Sequence, residues 1–225
     1  MLAKVQTGAN IGLDGLPVTV EVDIASSGLP SFTIVGLADR AVEESKERVR
    51  SAIRNSGANF PPRKITVNLA PADFPKEGPL FDLPIALGLL LASEQIPIAN
   101  PGVLSLNETM VVGELSLDGH LRKTQGILPL ALLTKQMGLK RIIVPKDNGM
   151  EAVVVEGLEV LAFDNLLQVL QMLLGQGLTK PVKATKLNLD ETNDFEYDFS
   201  QIKGQEQAKR ALEIAAAGGH HVLMS

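Results

Sequence analysis

The first quarter of the chain alternates apolar and polar residues and then changes to a helical period. Apolar side chains occupy every second position from Val18 to Ile24, which predicts a half-buried strand. After a turn at 26–30, the residues Phe32 to Val35 predict a strand that returns as a hairpin. From Asp39 to Ser56 apolar residues recur at helical spacing, with acids leading and bases trailing, so this segment predicts an amphipathic helix.

The most continuous apolar run, Leu83 to Ser93, predicts a helix that is buried on every side. Asp82 is a favourable N-cap residue for this helix, and Pro84 falls in the first turn, where its missing N–H costs little. The run is too short to cross a bilayer, which takes about 20 residues. The preceding loop supplies Lys76 and Glu77, but no Ser, Thr or Cys occurs from Pro71 to Leu91. The sequence therefore places no nucleophile at the start of this helix.

Strands and helices alternate through the rest of the first 175 residues, which predicts an α/β (α+β) domain with β-α-β crossovers. Residues 176–197 have little periodicity and contain a cluster of acids, so they predict either a linker or a poorly ordered tail. Residues 198–225 predict a helix at 204–217 and then the start of a strand. The strands predicted before residue 175 are 64–69, 110–117, 141–144 and 158–163, and the helices are 126–137, 149–155 and 165–174.

Composition restricts the chemistry further. The net charge of −5 argues against a wholly basic nucleic-acid binder, and an aromatic content of 4% argues against a base-stacking platform. The absence of Cys excludes disulfides and thiolate metal sites, so a cytoplasmic protein without a membrane segment is predicted. His120, His220 and His221 do not converge with a fourth partner, so no metal site is predicted.

Three stretches carry a resemblance to a known family. They are GLPSFTIVGLADRAVEESKERVRSAI (28–53), ITVNLAPADFPKEGPLFDLPIALGLL (65–90) and GELSLDGHLRKTQGILPLALL (113–133). In order and spacing they resemble the N-terminal domain of Mg-chelatase-like AAA+ proteins of the ComM/YifB type, and they cover most of residues 1–175. That domain is similar to the proteolytic domain of Lon, which implies a ribosomal protein S5 domain 2-like β-α-β core.

The resemblance to Lon implies where a catalytic pair would stand. Gly78-Pro79 is retained from the loop that carries the Lon serine, but Leu80 stands at the serine position. Gly126 is retained near the Lon lysine, but Leu128 stands at the lysine position. A Ser–Lys dyad needs a hydroxyl and an amine within hydrogen-bonding distance. The resemblance therefore implies a catalytically inactive relative of the protease that is kept as a scaffold.

A peptidase that uses other residues is an alternative. Ser116 and Lys123 lie near the matching strand, and Ser93 ends the buried helix. The simpler interpretation is that these are surface and capping residues. Peptide hydrolysis that Ser116→Ala abolishes would favour the peptidase.

Residues 198–225 resemble the entrance of an AAA+ ATPase module. Ile202, Gly204 and Gln205 match the segment that packs against adenine in such modules. No GxxxxGK[ST] loop occurs in the chain, so the resemblance implies an N-terminal fragment with that loop immediately after Ser225. By this interpretation the chain itself is neither an ATPase nor a peptidase and has no cofactor, whereas the full-length protein uses ATP and Mg²⁺.

The resemblance implies a hexameric DNA motor that promotes branch migration during natural transformation, with DNA and further copies of itself as partners. The alternatives are a magnesium chelatase subunit and a Lon-like peptidase; chelatase motor subunits of the family lack the Lon-like domain. A DNA-facing patch is one interpretation of the basic residues near 50 and 63, and a solvated helix face is the other. These residues are Arg48, Arg50, Arg54, Arg63 and Lys64.

Overall fold

The computed structural model describes residues 2–97, 105–177, 180–183 and 198–224. It divides into two compact units, Met1–Ala184 and Thr185–Ser225. The first unit thus extends beyond residue 175, where the sequence predicted its end. The backbone N–H of Val182 donates to the carbonyl oxygen of Val160 (2.9 Å), and the Val182 side chain packs against the core. Most of the predicted linker, 176–197, lies outside the described residues.

The described part of the first unit contains nine strands and five α-helices. In chain order they are β1 (Leu2–Ile11), β2 (Asp14–Ile24), β3 (Ser31–Val35), α1 (Arg40–Asn55), β4 (Lys64–Ala70), α2 (Asp82–Ala92), β5 (Thr109–Val111), β6 (Glu114–Leu115), β7 (Leu121–Arg122), α3 (Ile127–Gln136), β8 (Arg141–Pro145), α4 (Gly149–Ala152), β9 (Glu159–Phe163) and α5 (Leu166–Leu173).

Seven of these strands form one sheet in the order β3-β4-β2-β1-β5-β8-β9, and β6 pairs with β7 separately. Strand β2 is antiparallel to both β1 and β4, while the four remaining neighbouring pairs are parallel. The predicted α/β class with β-α-β crossovers is confirmed. The long strands β1 and β2 lie near the middle of the sheet, and α2 packs against both.

Two strand predictions are wrong in detail. Strand β3 does not form a hairpin with β2, because β4 lies between them and pairs with β3 in parallel. Helix α1 connects β3 to β4, and such a crossover places its two strands side by side in parallel. The strand predicted at 110–117 is divided at Gly113, whose N–H donates to Leu80 O and whose carbonyl accepts from Leu83 N (both 3.0 Å). The backbone there pairs with the start of α2.

The two helices predicted first are confirmed. Asp39 caps α1 by accepting a hydrogen bond from Val42 N at 2.7 Å. All 11 residues of α2 are buried, as its apolar sequence predicts. The predicted N-cap role of Asp82 is wrong: Phe81 precedes the helix, and the Asp82 carboxylate instead binds Arg48.

The second unit, as far as it is described, contains a short turn at Phe199–Gln201 and the helix α6 (Glu206–Gly218). Gly219 ends α6 at φ 63°, as the sequence predicts. The predicted strand is wrong over 220–224, where the described residues have no strand pairing. A strand needs a neighbouring strand, and the described part of this unit supplies none. Among the described helices of the whole chain, none is long and apolar enough to span a membrane.

Candidate functional site

A cleft of about 720 Å³ lies at the N-terminal end of α2, and we call it the Leu80 cleft. It contains Leu80 and Gly126, two of the positions that the Lon resemblance singled out. The turn before α2 and the turn before α3 form its walls. The residues that line it are Asn10, Gly12, Asp39, Glu77, Gly78, Pro79, Leu80, Glu114, Lys123, Thr124, Gln125, Gly126 and Pro129.

The structure brings Leu80 to the cleft but not Leu128. Leu80 is 8% exposed and belongs to the hydrophobic core. Gly126 begins α3 at φ 75°, and a Cβ there would lie 2.2 Å from Asn10 Nδ2, so the turn requires glycine. The Leu128 side chain is 37% exposed and does not line the cleft, while its N–H donates to Glu151 Oε1 at 2.9 Å.

The cleft has no hydrogen-bonded hydroxyl–amine pair among the residues that the structure describes. Lys123 and Thr124 are neighbours on its wall, but no hydrogen bond joins a Ser or Thr hydroxyl to a lysine amine in the described chain. The backbone of Thr124 is held by Asn148, whose side chain accepts from Thr124 N (2.9 Å) and donates to Thr124 O (2.8 Å). Thr124 Oγ1 is buried without a hydrogen-bond partner. Nothing therefore activates this hydroxyl as a nucleophile.

Ser116 and Ser93, the other predicted hydroxyls, have structural partners. Ser116 Oγ donates to the Asp118 carboxylate, and this hydrogen bond is the main cause that lowers the pKa of Asp118. Asp118 also lies 3.2 Å from His120 Nδ1, so the carboxylate separates the hydroxyl from the imidazole. A catalytic triad requires the imidazole between the two. Ser93 Oγ donates to Leu89 O at the end of α2 (2.8 Å).

Three carboxylates, Asp39, Glu77 and Glu114, line the Leu80 cleft. Asp39 is occupied in structural contacts, because its second oxygen accepts from Gly78 N at 3.3 Å while the first caps α1. Among the described residues, no three His, Cys, Asp or Glu side chains lie close enough together to hold a metal ion. The cleft is thus a polar recess with Leu80 on its wall.

Beside the cleft, a buried ion pair ties α1 to α2. Arg48 Nε and Nη2 donate to the two oxygens of Asp82 at 2.7 and 3.1 Å, and Leu115 N donates to the same carboxylate at 3.1 Å. Arg48 also donates to Ser45 Oγ and Ala41 O, both at 3.0 Å. Burial raises the pKa of the Asp82 carboxyl, and the hydrogen bonds from Arg48 and Ser45 offset part of that rise.

Arg48 was predicted as part of a DNA-facing patch, but its side chain is bound within the fold and differs in this from Arg54 and Arg63 of that patch. Its guanidinium is committed to Asp82, and the same hydrogen bond raises the pKa of Arg48. A phosphate would therefore have to compete with a buried carboxylate.

Three other predicted basic residues, Arg50, Arg54 and Arg63, do come together. They line a depression of about 210 Å³, which we call the arginine depression. Among the described residues, the side chains of Arg54 and Arg63 form no hydrogen bond or ion pair. Lys64 is exposed as the first residue of β4 and does not line the depression.

Two aromatic rings that sequence reasoning missed also line the arginine depression. The centroids of Phe32 and Phe60 lie 5.7 Å apart with a tilt of 44°, and the Arg50 guanidinium lies 5.3 Å from the Phe60 centroid. Such a spacing is typical of interacting rings. The aromatic content of 4% argued against a base-stacking platform, but it is an average over the chain and does not show that two phenylalanines meet.

A second cavity, of about 770 Å³, adjoins the arginine depression at the C-terminal end of α2. Residues Phe60 to Arg63 line both. Gln95, just after α2, fixes this connection: its Nε2 donates to Asn59 O (2.7 Å) and its Oε1 accepts from Asn59 N (2.8 Å). The position of Phe60 is thus tied to the end of the buried helix.

Lys76 in the loop before α2 is fully buried. Its ammonium donates to the carbonyl oxygens of Pro71 and Phe74 and lies 3.9 Å from the Phe74 ring centroid. Burial lowers the pKa of Lys76, and the charge of Asp73 opposes part of that shift. Lys76 therefore shapes the loop that delivers Leu80, and it is not among the residues that line the cleft.

The residues predicted to match an adenine-binding segment lie at the start of α6. Ile202 is exposed, Gly204 has φ 71°, and Gln205 precedes the helix at φ 60°. Their role in nucleotide binding stays a prediction.

Two family models match the chain. The model described as "Subunit ChlI of Mg-chelatase" matches residues 20–148, and "Magnesium chelatase, subunit ChlI" matches residues 198–225. The chain belongs to the Mg-chelatase ChlI family. Both ends of α2 and most of the Leu80 cleft lie inside the first match.

Curated relatives agree with this membership. The chain is 46% identical over 223 residues to Uncharacterized protein YifB of Escherichia coli (strain K12), covering 99% of this chain and 42% of that protein. It is 43% identical over 226 residues to Competence protein ComM of Haemophilus influenzae, covering 99% and 43%. The chain therefore spans about two fifths of the length of these curated relatives.

The likeness to Lon is weaker and covers less of the chain. Lon protease 2 of Bacillus subtilis is 30% identical over 132 residues, which is 58% of this chain and 22% of that protein. Together with the parallel β-α-β sheet, this match supports the predicted Lon-like fold. This ChlI-family chain thus resembles a protease while carrying a leucine in the cleft.

Proposed function

We propose that this chain is a non-catalytic, Lon-like N-terminal part of a Mg-chelatase-like AAA+ ATPase. The full-length protein would be a cytoplasmic, hexameric DNA motor that uses ATP and Mg²⁺ and promotes branch migration during natural transformation. The observation that carries the first part is the Leu80 cleft, where no hydrogen bond joins a hydroxyl to a lysine amine among the described residues. Membership of the ChlI family and the printed name of a relative, Competence protein ComM, support the second part.

The arrangement of the cleft fits a scaffold. Leu80 packs into the core, Asp39 caps a helix, and Asp82 is bound by Arg48, so these side chains maintain the fold. Residues 198–224 would join this scaffold to an ATPase module, with Ile202, Gly204 and Gln205 near the adenine. The chain alone would not bind ATP, because the described residues of the second unit contain no strand on which such a site could be built.

Branch migration by the full-length protein tests the motor. Purified protein with its complete ATPase module is mixed with a synthetic four-way DNA junction, with and without ATP and Mg²⁺. We expect resolution of the junction into duplexes only with ATP. No junction movement, together with insertion of magnesium into a tetrapyrrole, would favour the chelatase function that the family description names.

Peptide hydrolysis tests the inactive cleft. The full-length protein is incubated with unfolded casein and with fluorogenic peptides, beside an active Lon as the positive control. We expect no turnover above background. Hydrolysis that is lost in Ser116→Ala or in Lys123→Gln would contradict the scaffold and favour the peptidase alternative.

A further inference from the structure

We propose that the arginine depression binds single-stranded DNA, with one unpaired base against the Phe32–Phe60 ring pair and the flanking phosphates on Arg54 and Arg63. DNA as the partner rests on the proposed function above. The single-stranded form and the contacts follow from the chemistry of the depression.

The charges of the depression are available for phosphates. Arg54 and Arg63 are exposed, and among the described residues neither side chain forms an ion pair or a hydrogen bond. This distinguishes them from Arg48, which is bound to Asp82, and from Arg40, which pairs with Glu44 at 3.2 Å. Two unpaired guanidiniums that face one recess form a binding site for the backbone of a nucleic acid.

The rings of the depression are available for a base. Phe32 and Phe60 are half-buried and line the recess with a tilt of 44° between the rings, and the Arg50 guanidinium lies 5.3 Å from the Phe60 centroid. Aromatic rings and arginine planes stack on unpaired bases of any sequence, and alternation of stacking and basic groups is typical of single-strand sites. A patch that only attracted duplex phosphates would need the arginines alone.

The size of the depression favours one base over a duplex. Its volume of about 210 Å³ corresponds to about seven water molecules at roughly 30 Å³ each. One planar base fits such a recess, whereas a base pair within a duplex has no exposed face to insert.

Fluorescence anisotropy with the 225-residue chain tests the proposal. The probes are a short oligothymidylate, an abasic strand of equal length and a duplex of equal length, each between about 50 and 200 mM salt. We expect the oligothymidylate to bind about tenfold more tightly than the abasic strand, since stacking of one base supplies a gain of that order.

Two variants separate stacking from charge. Phe60→Leu keeps an apolar side chain but removes the ring, and it should abolish the preference for bases while leaving the salt dependence unchanged. Arg54→Gln with Arg63→Gln should weaken both single strands and reduce the slope of log K against log salt by about 1.4, or about 0.7 per phosphate.

Matched controls lie elsewhere in the chain. Arg40→Gln removes an arginine from the other end of α1, about 21 Å from Arg54 at 1.5 Å per residue. Phe199→Leu removes an exposed ring from the second unit. Neither should change affinity by more than about twofold, and thermal unfolding checks that every variant is folded.

Three outcomes would overturn the inference. They are equal affinity for the thymidylate and the abasic strand, duplex binding as tight as single-strand binding, or a Phe60→Leu variant that behaves like the Phe199→Leu control. None of these outcomes would contradict the motor function, which is tested by junction movement with the full-length protein. Conversely, the chain could prefer the oligothymidylate to the abasic strand while the full-length protein moves no junction. That result would contradict the motor function and support this site.

Discussion

The two ends of α2 present opposite chemistry. At its N-terminal end, the Leu80 cleft has polar walls in which Asp39 is bound to the backbone, and Leu80 stands where the resemblance to Lon implies the serine. Near its C-terminal end, the arginine depression has two arginines, Arg54 and Arg63, whose side chains form no ion pair or hydrogen bond among the described residues, beside two aromatic rings. The first end has no hydrogen-bonded hydroxyl–amine pair among the described residues, while the second combines arginines that the sequence indicated with a pair of rings that it did not.

The difference shows that the partners of a charge, and not its presence, decide what it does. Arg48 and Arg54 belong to the same helix, yet Arg48 donates to Asp82, Ser45 and Ala41 while Arg54 is exposed. The order of acidic and basic residues along α1 predicts an amphipathic helix, and it does not show which arginine is bound and which is exposed. Only the packing of α2 against α1 distinguishes a structural arginine from an available one.

The largest loss of stability should come from removing the ion pair that ties the N-terminal end of α2 to α1. Asp82→Ala leaves Arg48 without its buried carboxylate and should lower the free energy of unfolding by about 3–5 kcal/mol. Chemical denaturation measures this loss. Glu44→Ala, which removes the partner of the exposed Arg40, is the control and should cost at most about 0.5 kcal/mol. A loss below about 1 kcal/mol for Asp82→Ala would show that the pair does not hold the two helices.

Restoring a hydroxyl at the cleft should not restore an enzyme. Leu80→Ser should lower the free energy of unfolding by about 1.5–3 kcal/mol, because a buried leucine is lost from the core. We expect it to hydrolyse no peptide, because Leu128 stands where the resemblance to Lon implies the lysine. Leu132→Ser on the exposed side of α3 is the stability control. Turnover by Leu80→Ser would mean that Lys123 reaches position 80.

Removing the hydrogen bonds between Gln95, just after α2, and Asn59 should have a smaller effect on the free energy of unfolding. Gln95→Ala removes the two hydrogen bonds to Asn59 and should cost about 1–2 kcal/mol in chemical denaturation. Because Asn59 precedes Phe60, the preference for the oligothymidylate over the abasic strand should also fall, though less than in Phe60→Leu. Gln136→Ala at the exposed end of α3 is the matched control. An unchanged preference would show that Phe60 is held in place without Gln95.

The smallest effect concerns the buried amine near the cleft. Since burial lowers the pKa of Lys76, the unfolded chain binds more protons than the folded one between the folded pKa and the unfolded value near 10.4. The stability of the wild type relative to Lys76→Met should therefore rise as pH increases through that window. Thermal unfolding from neutral to alkaline pH measures the difference. A difference that falls with pH would contradict the assigned direction.

Local pattern was sufficient for the elements whose determinants are close in sequence. The apolar run at 83–93 predicts α2 because nearly every position in it is hydrophobic, and Asp39 predicts the start of α1 because capping is a contact over three residues. The strand partner of β3 was not predictable in this way. A turn at 26–30 is compatible with a hairpin, and only the placement of α1 excludes it.

The same limit applies to both ends of α2. Asp82 was interpreted as a cap because its partner, Arg48, is 34 residues away and gives no local signal. Phe32 and Phe60 are distant in the sequence and meet only because β3 pairs beside β4 and the connection at 59–63 folds back. Leu80 lines the cleft and Leu128 does not, and their correspondence to the Lon serine and lysine stays a prediction from the resemblance.

The position of β1 has a practical consequence for dissecting this protein. Strand β1 comes first in the chain, yet it lies between β2 and β5 in the sheet and has 10 residues paired with β2. An expression fragment trimmed to residues 20–148, the boundaries of the first family match, would omit it and leave two interior strands with unpaired edges. Such a fragment should aggregate, so reconstitution work on this region has to begin at or before Leu2.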